Sequence, residues 1–195
     1  DRETIGKGLW AEVFSDKKEP GTVRKIQTDI ERLEDSGFYQ YAYMITKNNR
    51  MSSNLYFPKI FNVQIGQYYA HGTHFAIAVD MERLHHVNTL SDEEIMMLGN
   101  RMFVDFERIL TQYSPERDRM NIIALLMHKL ISPGENRHHK KRLVQVKDPH
   151  LANAIRLIRN VVGKYYGAPD IHEHNIMVRR GPGGPHIVIT DPIAG

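Results

Sequence analysis

Three polar residues near the end of the chain have the types and spacing of a phosphoryl-transfer site: Asp170, Asn175 five positions on, and Asp191. One carboxylate can accept the proton of an attacking hydroxyl, while an amide oxygen and a second carboxylate hold divalent metal against phosphate oxygens. Asn175 stands where a polar loop enters the apolar run Ile176, Met177, Val178, and Asp191 ends a second such run, Ile187 to Thr190. Gly181-Pro182-Gly183-Gly184-Pro185 between them is a strong turn signal. The two runs are expected to pair as a hairpin with Asn175 and Asp191 side by side at one end.

A second group lies near the start. Gly6 and Gly8 are two apart and are followed by an apolar alternation through Val13 and Phe14, and then by a short strand, Gly21 to Ile26. A glycine turn between antiparallel strands can lay backbone N–H groups over phosphates, because no Cβ blocks the approach. Strand periodicity places Val23 and Lys25 on one face. Val23 could then line an apolar base pocket while Lys25 reaches phosphate. The same residues also fit an ordinary turn and an ordinary solvated strand lysine.

The elements that must position these groups read as follows. Residues 35 to 48 predict a helix burying Phe38, Tyr41 and Ile45. Asn48 to Arg50 and Ser52 to Asn54 read as loop. Ile60 to Ala70 and Thr73 to Met81 read as strands joined around His71-Gly72, and Asp80 to Arg83 as a polar connector between a sheet-rich half and a helical half. Ser91 with Glu94 forms a capping box opening a helix expected to run to about Gln112. Ser114-Pro115-Glu116 opens another, with Ile122, Ile123, Leu126 and Leu130 inside it. A third, about His150 to Tyr166, is expected to bury Leu151, Ala154, Ile155, Ile158 and Val162 before Gly167, and Pro169 stiffens the entry to the Asp170 loop.

The chain has 195 residues, room for one large domain or two small lobes, and its 41% apolar content is enough for a core. The net charge of +3 permits phosphate-bearing partners without requiring them. With no cysteine there is neither a disulfide framework nor a thiolate metal site. No apolar run approaches the ~18 residues of a membrane span and no signal peptide opens the chain, so no membrane partner and a cytoplasmic protein are expected. A start at Asp1 and a stop just past Asp191 suggest a piece of something longer. The basic run Asn136 to Arg142 reads as a solvated loop, with nucleic-acid contact as its alternative.

The order glycine turn, strand lysine, helix, connector, helices, Asp-x4-Asn and Asp resembles the protein-kinase-like fold. Asp170-Ile-His-Glu-His-Asn-Ile-Met, Ile189-Thr-Asp-Pro, and Glu34 to Gly37 followed by Phe38 to Met44 are similar to the early serine/threonine protein kinases of autographiviruses, a group of bacterial podoviruses. That resemblance implies an α+β, bilobal fold, with an antiparallel-sheet N-lobe at 1–82 and a helical, truncated C-lobe at 83–195. It implies ATP and Mg2+ as cofactors, transfer to Ser/Thr hydroxyls of host bacterial proteins including transcription machinery, and autophosphorylation in the host cytoplasm. By the same likeness Gly6 and Gly8 cover the phosphates, Val13 packs on the base and Lys25 pairs with phosphate oxygens. Asp80, Met81 and Glu82 form an adenine-binding hinge, Asp170 takes the substrate proton, and Asn175 and Asp191 hold magnesium.

The chain departs from the kinase pattern at Ala11 for the third glycine, Ala168-Pro169 for His-Arg, and Pro192-Ile193 for Phe-Gly. Its first helix offers no well-placed glutamate to Lys25; Glu31, Glu34 and Gln40 are the nearest polar candidates. His172 stands where small-molecule phosphotransferases have histidine, so a small-molecule acceptor is a rival. It could bind the transferred phosphoryl group or orient Asp170. His172 and His174 with Asp170 and Asp191 are also the donor types of a metal hydrolase. A kinase-shaped binding module without activity is a further alternative, although such a module has no use for Asp170.

Overall fold

The computed structural model describes residues 2–7, 11–16, 18–69, 71–113, 118–132, 144–165 and 168–194. Gly8, the segment Ser114 to Glu116, the basic run and Gly167 lie outside them. The chain is mixed α and β and forms two compact units, Asp1–Ser53 with Pro58–Arg83, and Asn54–Phe57 with Leu84–Ala194.

The first unit is an antiparallel sheet of β1 (Arg2–Lys7), β2 (Ala11–Asp16), β3 (Glu19–Ile30), β4 (Ile60–Tyr69) and β5 (Thr73–Glu82), in the order β1-β2-β3-β5-β4. His71 (φ 56°) and Gly72 (φ 147°) make the turn from β4 to β5 where the sequence places it. Helix α1 (Gly37–Lys47) starts at Ser36, whose Oγ accepts the Tyr39 N–H, and it buries Phe38, Tyr41 and Ile45 as its periodicity predicts. Phe38 and Ala42 close a core with Val23, Ile30, Ile77, Val79 and Met81. The expected loop at Asn48 to Arg50 is instead a short helix α2 (Asn49–Ser52), because the Asn48 side chain caps it by accepting the Arg50 N–H.

One expectation changes at the end of this sheet. Asp80, Met81 and Glu82 are not a connector but the last residues of β5, an interior strand. Arg24 and Asn62 flank Asp80, Val23 and Ile60 flank Met81, and Thr22 faces Glu82. The Glu82 N–H donates to the Lys59 carbonyl at 3.0 Å, and its carboxylate accepts the Lys59 N–H at 2.8 Å. The boundary their polarity suggested does fall here, since the first unit ends at Arg83, but Asp80 is inside the sheet and neutralised across it: Arg24 Nε and Nη2 donate to its two oxygens at 2.6 and 2.7 Å. That carboxylate holds the guanidinium pKa above its ordinary value.

The second unit contains a three-stranded sheet of β6 (His85–His86), β8 (Ile176–Gly181) and β9 (Gly184–Ile189), in the order β6-β8-β9. Its helices are α3 (Asp92–Met102), α4 (Phe106–Leu110), α5 (Arg119–Ile131) and α6 (Pro149–Tyr165). The Ser91–Glu94 capping box is present, but α3 stops ten residues short of the predicted end. Phe103 turns extended to pair with Val146, the Val104 N–H donates to the Gln145 carbonyl, and Asp105 is left-handed at φ 53°. Pairing across more than forty residues thus cuts a pattern that is helical when read locally. Helix α6 buries Leu151, Ala154, Ile155 and Ile158 as predicted, with Val161 buried in place of Val162, which is half-buried.

Asn54, the end of the stretch read as loop, falls with Leu55 to Phe57 in the second unit, where its polar groups are satisfied. Asn54 Oδ1 accepts the Tyr56 N–H and Nδ2 donates to the His150 carbonyl, both at 2.9 Å. Tyr56 accepts the Ile189 N–H at 2.9 Å on its carbonyl and donates its hydroxyl to Asp148 at 2.8 Å. Burial and that carboxylate push the Tyr56 phenol well above its ordinary range.

Candidate functional site

In the second unit the hairpin forms in the expected register, Ile176 opposite Ile189 and Val178 opposite Ile187. Gly184, at φ 88°, completes the turn at Pro182-Gly183, where a side chain would be strained. Ile176, Val178, Ile187 and Ile189 are fully buried, so burial on both strands locks the pairing.

Beyond the hairpin, two backbone hydrogen bonds and one from a side chain place the polar residues. The Thr190 N–H donates to the Asn175 carbonyl at 3.0 Å, seconded by Thr190 Oγ1 at 3.1 Å. One residue past Asp191, the Pro192 carbonyl accepts the Asp170 N–H at 2.8 Å. Asp191 is therefore bracketed, tied to Asn175 on one side and to Asp170 on the other. The bracket continues as a short ladder, β7 (Ala168–Pro169) against β10 (Ile193–Ala194), with Pro169 opposite Ile193. Sequence reading missed this ladder, since two-residue strands carry no periodicity.

Within the loop, Asn175 Nδ2 donates to the Asp170 carbonyl at 2.8 Å and to Asp170 Oδ2 at 3.1 Å. Two oxygen partners fix which way the amide faces and turn Oδ1 away from Asp170. The last turn of the loop, Glu173–Asn175, is a 3-10 helix capped by His172, whose Nδ1 accepts the His174 N–H at 3.2 Å. The other ring nitrogen, Nε2, lies 3.4 Å from Asp170 Oδ1 and 3.0 Å from Asn175 Nδ2. His172 is thus in contact with the carboxylate that the sequence marks as the base. His174 stacks edge-on against it, ring centres 5.6 Å apart, with His86 of β6 6.2 Å further on. The His86 neighbour is a product of the β6–β8 pairing and has no signal in sequence.

Asn175 Oδ1 and the Asp191 carboxylate are hard oxygen donors on a backbone-fixed frame, which suits magnesium, an ion that takes one or two protein oxygens and keeps water elsewhere. The metal-hydrolase alternative fares differently: among the described residues, no three His, Asp or Glu side chains come together to hold a metal. A groove of about 360 Å³ runs beside the loop, lined by Asn121, Ala124, Leu125 and His128 of α5 with Ile171 and His172.

In the first unit, Lys25 stands opposite Val13 on β2 and Val79 on β5. Its ammonium lies 4.0 Å from the centre of the Phe38 ring on α1, a cation–π contact at the place where a helix carboxylate was sought. Two of the three candidate partners are engaged elsewhere: Glu34 accepts from Arg32, and Gln40 donates to the Leu33 carbonyl. Val13 is half-buried against the core, and Val23, 7% exposed, belongs to it. Gly6 pairs with Val13, which a Cβ at Gly6 would meet at an ordinary 3.7 Å, so nothing within the sheet demands glycine there. Asp80 and Met81, expected as hinge residues, are paired on both sides by β3 and β4, Glu82 faces Thr22, and Arg24 holds the Asp80 carboxylate.

No helix among the described residues is long and apolar enough to cross a membrane. Comparison with known protein families finds no match to this chain, and comparison with curated proteins finds none either.

Proposed function

We propose that this chain is an ATP- and magnesium-dependent kinase of bilobal, protein-kinase-like fold that transfers the γ-phosphoryl group to Ser/Thr hydroxyls of proteins. The observation that carries the reading is the bracketing of Asp191 between Asp170 and Asn175 by backbone hydrogen bonds on either side of it. Asp170 accepts the proton of the acceptor hydroxyl, and His172, against its Oδ1, holds the carboxylate in orientation. Asn175 Oδ1 and the Asp191 carboxylate would hold magnesium, which would supply charge neutralisation to the phosphates. In the first unit, Lys25 is the positive charge that this reading assigns to phosphate, and Phe38 restrains its ammonium.

A second reading, a small-molecule acceptor, is favoured by the groove beside His172, whose roughly 360 Å³ matches small ligands. Both readings require nucleotide binding, and thermal melting tests it. Millimolar ATP with magnesium is expected to raise Tm, since a ligand at ~100 times its Kd adds about 2.7 kcal/mol to stability. Asp191→Asn is expected to remove the magnesium-dependent part of that rise. A folded wild-type protein whose Tm does not move would defeat both readings together.

A further inference from the structure

Among the described residues, β4 lies at the edge of the first unit's sheet, with a neighbour on one side only. An edge presents a row of N–H and C=O groups to solvent, and natural sheets blunt it with charge, proline, bulges or short length. The opposite edge is blunted: β1 has six residues, carries Arg2, Glu3 and Lys7, and its register shifts between Thr4 and Gly6. β4 has ten residues, with no charge and no proline among them. Its one irregularity, between Ile60 and Asn62, lies at its start, and its pairing with β5 then runs without interruption to Tyr69. Ile65 and Tyr69, on one face of this strand, are 47% and 83% exposed.

We propose that two copies of this chain pair antiparallel through β4, joining two five-stranded sheets about a two-fold axis. Charge and symmetry select this occupant. A strand without charge gains no ion pair from a charged partner strand, whereas against itself it sets no like charges opposite one another. Pairing of β4 with the β1 of another copy would be head-to-tail, would propagate into an open filament, and would meet a charged, irregular edge. The antiparallel two-fold stands perpendicular to the sheet and keeps each face on its own side, so same-face residues must oppose one another. With Ile65 opposite its own mate, Gln64 faces Gly66, Val63 faces Gln67 and Asn62 faces Tyr68. Moving the axis to Gly66 would leave no side chain to pack at the centre, whereas a β-branched pair there stabilises the sheet. This inference does not depend on the proposed activity.

The chain has no cysteine, so Ile65→Cys carries a single thiol. Facing Cα atoms in an antiparallel pair lie about 4.5–5.5 Å apart, within disulfide reach. Mild oxidation is expected to cross-link Ile65→Cys into dimers and to leave Thr46→Cys, on α1, monomeric. Sedimentation of the wild-type protein across about 1–500 µM, a span suited to a modest interface, is expected to pass from monomer to dimer. Ile65→Lys is expected to remain monomeric with unchanged circular dichroism; the cysteine arm decides the matter even if that variant does not fold. A wild-type monomer at every concentration would leave the edge to a strand of another protein and overturn the proposal. A dimer that survives in Ile65→Lys, species growing beyond dimer, or a failure of Ile65→Cys to cross-link would overturn it equally.

Discussion

Asp170→Asn is expected to slow phosphoryl transfer by about 10²–10⁴-fold, the usual contribution of a positioned base, while nucleotide affinity stays close to that of the wild type. The substitution keeps the size of the side chain and spares the two bonds that fix the loop through its backbone, Asp170 N–H to Pro192 and the Asp170 carbonyl to Asn175 Nδ2. What it removes is proton-accepting capacity next to His172 Nε2. Rate lost without ground-state binding marks an interaction made in the transition state. Asp191→Asn should behave in the opposite way, weakening magnesium-nucleotide binding along with turnover. Single-turnover rates and equilibrium nucleotide binding, measured on both variants, separate the two roles. Undiminished transfer by Asp170→Asn would mean that the base has been misassigned.

Gly99→Ala is expected to destabilise the second unit by about 2–3 kcal/mol, lowering its Tm by on the order of 5–10 °C. Alanine ordinarily gains about 1 kcal/mol over glycine inside a helix. At this position the added Cβ would lie 2.0 Å from Phe106 Cε1 and 2.2 Å from Cδ1. Phe106 is fully buried on a five-residue helix entered through left-handed Asp105, so it has little room to give way. The clash outweighs the propensity gain. Gly163 of α6 is the control, since nothing lies within 4 Å of a Cβ there and Gly163→Ala should raise Tm slightly. Calorimetry that finds Gly99→Ala neutral would contradict the α3–α4 packing.

The parts of this structure that were legible in the sequence are those that local chemistry dictates. Alternation announced the strands, the Ser91–Glu94 pair announced the start of α3, and the Gly-Pro-Gly-Gly-Pro run announced the hairpin that carries Asn175 toward Asp191. What stayed hidden depends on partners far away in the chain. Asp80 reads as part of a polar connector until Arg24, 56 positions earlier, is seen to neutralise it inside the sheet. The helix from Ser91 reads as continuous until Val146 pairs with Phe103. Of the candidate site, the residue types and the Asn175–Asp191 hairpin were readable. The Pro192 link to Asp170, the Phe38 ring at Lys25 and the His86 contact with His174 were not, because each is made by tertiary pairing.

The most direct test of the central claim is transfer of label from γ-labelled ATP, with magnesium, into the purified protein itself and into a bacterial lysate. The account predicts labelled protein bands whose phosphate is on Ser or Thr, present with wild type and lost with Asp170→Asn. Label confined to small soluble compounds would replace the protein acceptor by the small-molecule one suggested by the groove at His172. No transfer to any acceptor, from protein that is folded and binds nucleotide, would contradict the assignment of Asp170, Asn175 and Asp191 as a phosphoryl-transfer site.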